Sequence, residues 1–324
     1  MRALAPLLLL VFSGCSAENG GPARTSASSA SPIASARATG SAAPAAPSAS
    51  ATAVPSPPDP AIVAQIHAPP GIDPAARYPF VLFLHGLGGT GRSFATALGV
   101  EKLAADKKFF WASPDGTIDR KQRRFWNAGE GCCDFDRLGA DHVASLGAMI
   151  AEARRTPGID PAKVYVIGFS NGAFMAHKLA CRVPGIAGIV SVAGAAPSES
   201  DGPCAPSAPV AVLEIHGDAD KAVRFEGGHV LDMKDVPTHR GAEDTTRVWS
   251  VADGCTGTLE EKGQLDLMSG LPGSETRDLR YPGCRAPVAL WRVVGGDHFI
   301  ATSRPALEHM WTFLTSAALP SAPP

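Results

Sequence analysis

The sequence has little that would take it to nucleic acid or into a bilayer. Its 29 Lys and Arg are matched by 31 Asp and Glu, which leaves a formal net charge of -2 over 324 residues. No basic surplus draws such a chain to phosphate or to an anionic membrane face. The longest apolar run, residues 3–12, is too short to span a bilayer as a helix. No Cys-x-x-Cys spacing occurs, which argues against the common zinc patterns. Aromatic residues make up only 6%, yet 45% of the chain is hydrophobic, enough for a sizeable core.

The residues are unevenly distributed. Arg2 followed by the apolar run has the form of a signal peptide over residues 1–14. The sequence Phe12-Ser13-Gly14-Cys15 then has the form of a lipoprotein cleavage box, with Cys15 as the lipid anchor. Between Gly21 and Pro60, 30 of 40 residues are Ala, Ser or Pro, and only Ile33 and Val54 are large and aliphatic. Such a segment cannot bury enough apolar area to offset its ordering entropy, so residues 15–60 read as a disordered stalk. The folded domain is expected over residues 61–318, with a short tail at 319–324. These features imply export, as a cell-envelope lipoprotein or a secreted protein.

Seven cysteines less Cys15 leave an even number, as expected for a disulfide-bonded exported domain. Cys255 and Cys284 make the natural local pair. Adjacent Cys132 and Cys133 are badly placed to bond each other, because a vicinal disulfide demands a distorted peptide. The expectation is that they pair with Cys181 and Cys204, in either order.

Apolar runs at residues 79–84, 109–112, 164–167, 186–192, 210–215 and 288–294 read as buried strands. Helical patterns fall at 136–155, 173–181 and 238–251, and again after Pro305, where Leu307, Met310, Trp311 and Leu314 form one stripe. Strand and helix alternate, so the fold class is α/β, with a mostly parallel, doubly wound sheet in one domain.

The chemistry gathers at the ends of those strands. Gly168-Phe169-Ser170-Asn171-Gly172 lies between a hydrophobic strand and a helix. In that context a Gly-x-Ser-x-Gly turn pushes the serine hydroxyl out at the sheet edge, ready to act as a nucleophile. A serine needs a base, and the base needs an orienting acid, in the chain order Ser, acid, His. His177 and His309 lie inside helices, where a surface or packing role is favoured. His229 and His239 fall in a loop region and read as solvated. His216 ends a strand, while His298 follows the last strand in Gly295-Gly296-Asp297-His298-Phe299 and is the chosen base. Asp218 and Asp220 compete as the acid on the loop after residues 210–215, and Asp220 is preferred; Asp297 is too close to His298 to curl back onto it. The oxyanion donors are expected to be the N–H groups of Asn171 and Leu87, the latter in Leu84-His85-Gly86-Leu87-Gly88-Gly89. That loop lacks the Gly-Lys-Ser/Thr end of a P-loop, and His85 reads as its brace. Trp126 and Asn127 either line a substrate groove or serve as a core residue and a turn cap. Asp141-His142 reads as a surface or helix-dipole feature.

Taken together, LHGLGG, FWNAGEGCC, VYVIGFSNGAFMAHKLAC, IHGDADKAVRFEGG and the Gly254-Cys255 and Gly283-Cys284 pair resemble the exported esterase family of polyhydroxybutyrate depolymerases and feruloyl or acetylxylan esterases. The resemblance covers roughly residues 61–314. It implies an α/β-hydrolase fold and a triad of Ser170, Asp220 and His298. It implies hydrolysis of carboxylic esters, with no metal and no organic cofactor. Two features depart from the family. Phe299-Ile300-Ala301-Thr302 stands where the family has a Trp-Pro-Gly segment, which implies a reshaped pocket. No polymer-binding module follows Leu314, which argues against attack on crystalline polymer. The partner implied is an ester substrate derived from polysaccharide or polyester, with no nucleic acid, membrane contact only through the lipid anchor, and a monomer favoured. The rival readings are a peptidase or lipase on the same fold, or a non-catalytic surface-binding lipoprotein.

Overall fold

The computed structural model describes residues 62–268 and 270–316. The signal peptide, Cys15, the stalk and the tail expected from the sequence lie outside the described residues. Strand β1 (Tyr78–Leu84) shows how the layers form. Phe80, Leu82 and Leu84 pack into one apolar cluster, and Val81 and Phe83 into another. Successive side chains of a strand point to opposite faces, so a strand covered on both sides is apolar at every position. All five of these side chains are fully buried, each worth roughly 1.5–3 kcal/mol.

The chain continues through α1 (Gly91–Leu98), α2 (Val100–Lys107), β2 (Phe110–Ala112) and a small hairpin of β3 (Thr117–Ile118) and β4 (Arg124–Phe125). Then come α3 (His142–Arg155), β5 (Ile159–Phe169), α4 (Asn171–Arg182), β6 (Gly188–Val192) and β7 (Ala211–Gly217). A two-residue ladder of β8 (Gly227–Gly228) with β9 (His239–Arg240) precedes α5 (Ala242–Ala252), β10 (Glu260–Leu265), β11 (Thr276–Arg280), β12 (Val288–Val293) and α6 (Arg304–Ser316). The main sheet has eight strands in the order β10-β11-β12-β7-β6-β5-β1-β2. Pairings from β12 across to β2 are parallel, whereas β11 runs antiparallel to both of its neighbours. Residues of α3, α4 and α5 share the cluster of Phe80, Leu82 and Leu84; those of α1, α2 and α6 share that of Val81 and Phe83. Helices therefore cover both faces of a mostly parallel sheet. Among the described residues no helix is long and apolar enough to cross a membrane.

Parallel strands bring their carboxyl ends to one edge, and loops following β1, β5, β7 and β12 meet there. The Gly86 loop, Ser170, Asp220 and His298 follow those four strands.

The structure corrects several local expectations. The helix expected from residue 136 starts at His142. Gly139 has φ 70° and ends the preceding turn, whose Leu138 and Gly139 N–H groups donate to Asp134. Asp141 is then the N-cap, its Oδ1 accepting from Ala144 N–H at 2.9 Å. The helix expected from residue 238 starts at Ala242, because His239 and Arg240 pair with Gly227 and Gly228. The disulfide expectation holds for Cys255 and Cys284 and fails for the other two pairs. Cys132 bonds its neighbour Cys133, and Cys181 bonds Cys204, while Cys255 bonds Cys284. The Cys132–Cys133 peptide is cis, with the two Cα atoms 3.1 Å apart.

Candidate active site

Ser170 occupies the single residue between β5 and α4, with φ 52° and ψ -121°. A positive φ on a non-glycine residue is held only where the surroundings enforce it. Here the flanking glycines do so: a Cβ on Gly168 would strike the Gly172 carbonyl, and one on Gly172 would strike the Leu84 carbonyl. The elbow is thus pressed against the end of β1. Gly86 lies against it too, since a Cβ there would stand 3.3 Å from Ser170 Cβ.

His298 Nε2 lies 2.9 Å from Ser170 Oγ, and its Nδ1 lies 2.7 Å from Asp220 Oδ2. A carboxylate only accepts, so Nδ1 carries the proton and Nε2 is left to accept from the serine hydroxyl. Asp220 is itself fixed: its Oδ1 accepts from the N–H groups of Ala222 (2.8 Å) and Val223 (2.9 Å). Burial favours the neutral carboxyl, but the nearby His216, the hydrogen bond of His298 and the Val223 N–H hold Asp220 well below the usual carboxylate range. The competing Asp218 does a different job. It accepts from Gly295 N–H at 2.7 Å and from Arg292 Nε at 3.0 Å, tying down the loop that carries His298. Asp297 accepts from Phe299 N–H at 2.9 Å.

Asn171 opens α4, so its N–H has no intrahelical acceptor. In the β1 loop, Gly88 N–H donates to Arg124 and Gly89 N–H to Gly86. The Leu87 N–H between them has no acceptor among the described residues.

Trp126 is a core residue, which corrects the groove reading. It is fully buried, and its indole Nε1 donates to His85 O at 2.9 Å. Its own backbone binds the Asn171 side chain in both directions, at 2.6 and 2.8 Å. Asn127 also turns inward, donating from its N–H to His142 Nδ1 at 2.7 Å and from Nδ2 to Ala140 O at 3.0 Å. His142 is buried rather than a surface residue. His85 spans the loop, with Nδ1 donating to Gly86 O at 2.8 Å and Nε2 accepting from Gly116 N–H at 3.0 Å. Burial pushes its imidazole below the ordinary value and keeps it neutral. His239 is buried as well, its ring edge-on to Phe174.

Sequence reasoning missed what lies behind Asp220. Glu214 and His216 are fully buried within β7. Glu214 binds His216 Nδ1 at 3.1 Å and His177 Nε2 at 3.0 Å, and Trp249 Nε1 donates to His177 Nδ1 at 2.9 Å. The signal was present: two ionisable residues at i and i+2 of an apolar strand share one face and need buried partners. Outside the hydrogen-bonded chain, the Phe169 ring lies 5.2 Å from that of His298, and the exposed Phe299 ring lies 5.5 Å from it. Among the described residues no group of three or more His, Cys, Asp or Glu is arranged to hold a metal ion.

A nucleophile elbow after a central parallel strand, with an acid and a histidine on later strand ends, defines the α/β-hydrolase fold. The acetyl xylan esterase of Aspergillus awamori superposes with a TM-score of 0.54 over 77% of this chain and 93% of that one, at 15% identity. The family described as Phospholipase/Carboxylesterase matches residues 138–233. The chain is similar to feruloyl esterase B of Piromyces equi, 26% identical over 75% of this chain and 42% of that one. It is also similar to the putative esterase NocK of Nocardia uniformis subsp. tsuyamanensis, 34% identical over 50% of this chain and 46% of that one. The chain thus spans less than half the length of these curated relatives.

Proposed function

We propose that the protein is a serine hydrolase of carboxylic esters, with Ser170 as nucleophile, His298 as general base and acid, and Asp220 as the acid that orients it. The observation that carries this reading is the continuous hydrogen-bonded chain from Ser170 Oγ through His298 to Asp220. Likeness to a feruloyl esterase and to a putative esterase supports the substrate class. In this mechanism neutral His298 takes the Ser170 proton as Oγ attacks the ester carbonyl. The resulting oxyanion is received by the N–H groups of Leu87 and Asn171. The imidazolium then protonates the leaving alcohol, and water repeats the cycle on the acyl-enzyme.

The finer parts of the reading are the ester and the location. Feruloyl or acetyl esters of polysaccharide and short hydroxyalkanoate esters are the proposed substrates. Export is proposed, with a lipid on Cys15 and a stalk over residues 15–60 ahead of the hydrolase domain. Incorporation of labelled palmitate, lost in Cys15→Ser, tests the anchor.

The test of the activity is steady-state hydrolysis of p-nitrophenyl acetate, methyl ferulate, acetylated xylan and a 3-hydroxybutyrate oligomer, beside Ser170→Ala. The expected result is turnover that the variant lowers by on the order of 10⁴-fold or more. A serine-directed phosphonate should label the protein and not the variant. Equal rates for both proteins on every ester, with no labelling, would overturn the reading in favour of a non-catalytic binder.

A further inference from the structure

The protons behind Asp220 can be counted from geometry. Trp249 Nε1 is only a donor and lies 2.9 Å from His177 Nδ1. His177 Nδ1 therefore accepts, and its Nε2–H donates to Glu214 Oε2 at 3.0 Å. On the other side of Glu214, His216 Nδ1 lies 3.1 Å from Oε1. His216 Nε2 lies 2.8 Å from the Val223 carbonyl, which only accepts, so this nitrogen also carries a proton. One further proton sits between Glu214 Oε1 and His216 Nδ1. Imidazole is the stronger base of that pair by about two units. A carboxylate, Asp220 Oδ2, stands 3.6 Å from His216 Nε2 and favours positive charge there.

We propose that His216 is a buried imidazolium, held by Glu214, and that it is a positioning residue for the hydrolysis: it keeps Asp220 ionised and aligned, and it opposes the charge on His298. The proposal rests on the esterase reading and deepens it. Burial alone would push the His216 imidazole down, but the nearby Asp220 carboxylate, the Glu214 hydrogen bond and the Glu214 charge raise it to about 9. Burial would likewise raise the Glu214 carboxyl, and the two histidines pull it below its ordinary value instead.

The charges around the pair are few. His216 faces Glu214, Asp220 and the edge of the Phe225 ring at 5.8 Å, with the Arg292 guanidinium 5.0 Å from that ring. His239 is near enough to feel the charge of His216. Beyond Glu214 stands His177, neutral by the proton count above. His298 faces Asp220, Ser170 and the rings of Phe169 and Phe299. A positive charge behind Asp220 weakens the pull of that carboxylate on the His298 imidazole.

Glu214→Gln is the discriminating variant. Its amide oxygen must accept from His177 Nε2–H, so its NH₂ group faces His216 Nδ1. The ring is then neutral while each hydrogen bond in the chain is kept. Two readouts follow. In the wild-type protein at pH 7.5, imidazole ¹⁵N shifts should show both His216 nitrogens protonated, and Glu214→Gln should show only Nε2 protonated. The acid limb of the kcat/KM profile should move up by about half a unit to one unit in Glu214→Gln. Activity at pH 6 then falls roughly three- to tenfold more than at pH 8.

A neutral His216 in the wild-type spectrum overturns the proposal. So does a Glu214→Gln profile lowered equally at all pH values, which is the mark of a purely structural role. Wild-type turnover no greater than that of Ser170→Ala overturns the esterase reading and the positioning role with it. Because the spectra need no turnover, a failure of the charge assignment is told apart from a failure of the esterase reading.

Discussion

The side-chain amide of Asn171 is paired with the backbone of Trp126 in both directions, its Oδ1 accepting from Trp126 N–H at 2.6 Å and its Nδ2 donating to Trp126 O at 2.8 Å. The same nitrogen approaches Cys132 Sγ at 3.5 Å. Since the Trp126 indole holds His85 O, one buried residue links the elbow that carries the Asn171 N–H to the loop that carries the Leu87 N–H. Asn171→Ala removes the link but leaves both N–H groups in the chain. The expected result is a kcat lowered roughly 10- to 100-fold with little change in KM, less than for outright loss of a donor. Two Trp126 backbone groups would be left buried and unpaired, so urea denaturation should show a loss of about 1–3 kcal/mol.

Asp220→Asn tests the orienting acid. The Ala222 and Val223 N–H groups both donate to Oδ1, so an asparagine must place its carbonyl oxygen there. Its NH₂ group then faces His298 Nδ1 and forces the proton onto Nε2, where it blocks acceptance of the Ser170 proton. The expected loss is on the order of 10³–10⁴ in kcat, with the fold retained by circular dichroism. A loss below tenfold would remove Asp220 from the mechanism.

How far the sequence could be read depended on whether a signal was local. The apolar run of β1 and the Gly168–Gly172 turn are short-range patterns whose geometry follows from sterics. Glycine spacing around Ser170, and the histidine after β12, could be placed at one sheet edge once the strands were known to be parallel. Residues whose role depends on distant partners were not legible in the same way. Trp126 is as consistent with a groove as with the core until the Asn171 and His85 contacts are seen. The Cys132–Cys133 bridge joins chain neighbours, a pairing that residue types do not specify. Helices α1 and α2, the edge strand β10 and its antiparallel neighbour β11 lack a long apolar period. Most of β10 is exposed, so no alternating pattern marks it.

Asp253 supplies a pH test of stability that is separate from the active site. It is buried, its Oδ1 accepts from Val210 N–H at 3.2 Å, and its Oδ2 has no partner among the described residues. Burial raises its carboxyl to about 6, against the Val210 hydrogen bond and Arg285. Between about pH 4 and pH 6 the folded chain therefore holds a proton that the unfolded chain has lost, and stability declines as pH rises through that window. Asp253→Asn lacks this step. Its Tm relative to the wild-type protein should rise by a few degrees from pH 4.5 to pH 7.5 and then level off. A constant difference across that range would show that Asp253 does not titrate there.

Phe299 stands beside His298 with most of its ring in water. It is 69% exposed, yet its ring lies 5.5 Å from His298 and 5.8 Å from Phe169. Leaving such a ring uncovered has little effect on folding, and covering it with an apolar part of a substrate removes its surface from water. An aromatic group stacked there gains about 0.5–1.5 kcal/mol beyond the area term, or roughly a two- to tenfold effect on affinity. Phe299→Ala should therefore raise KM for methyl ferulate by about that factor, leave KM for p-nitrophenyl acetate nearly unchanged, and alter kcat little for either. Because the side chain packs so lightly, Tm should stay within about two degrees of the wild-type value. If KM rises equally for both esters, the ring shapes the approach to His298 and does not select the acyl group. If kcat falls for both instead, its contact with the His298 ring matters for holding the base.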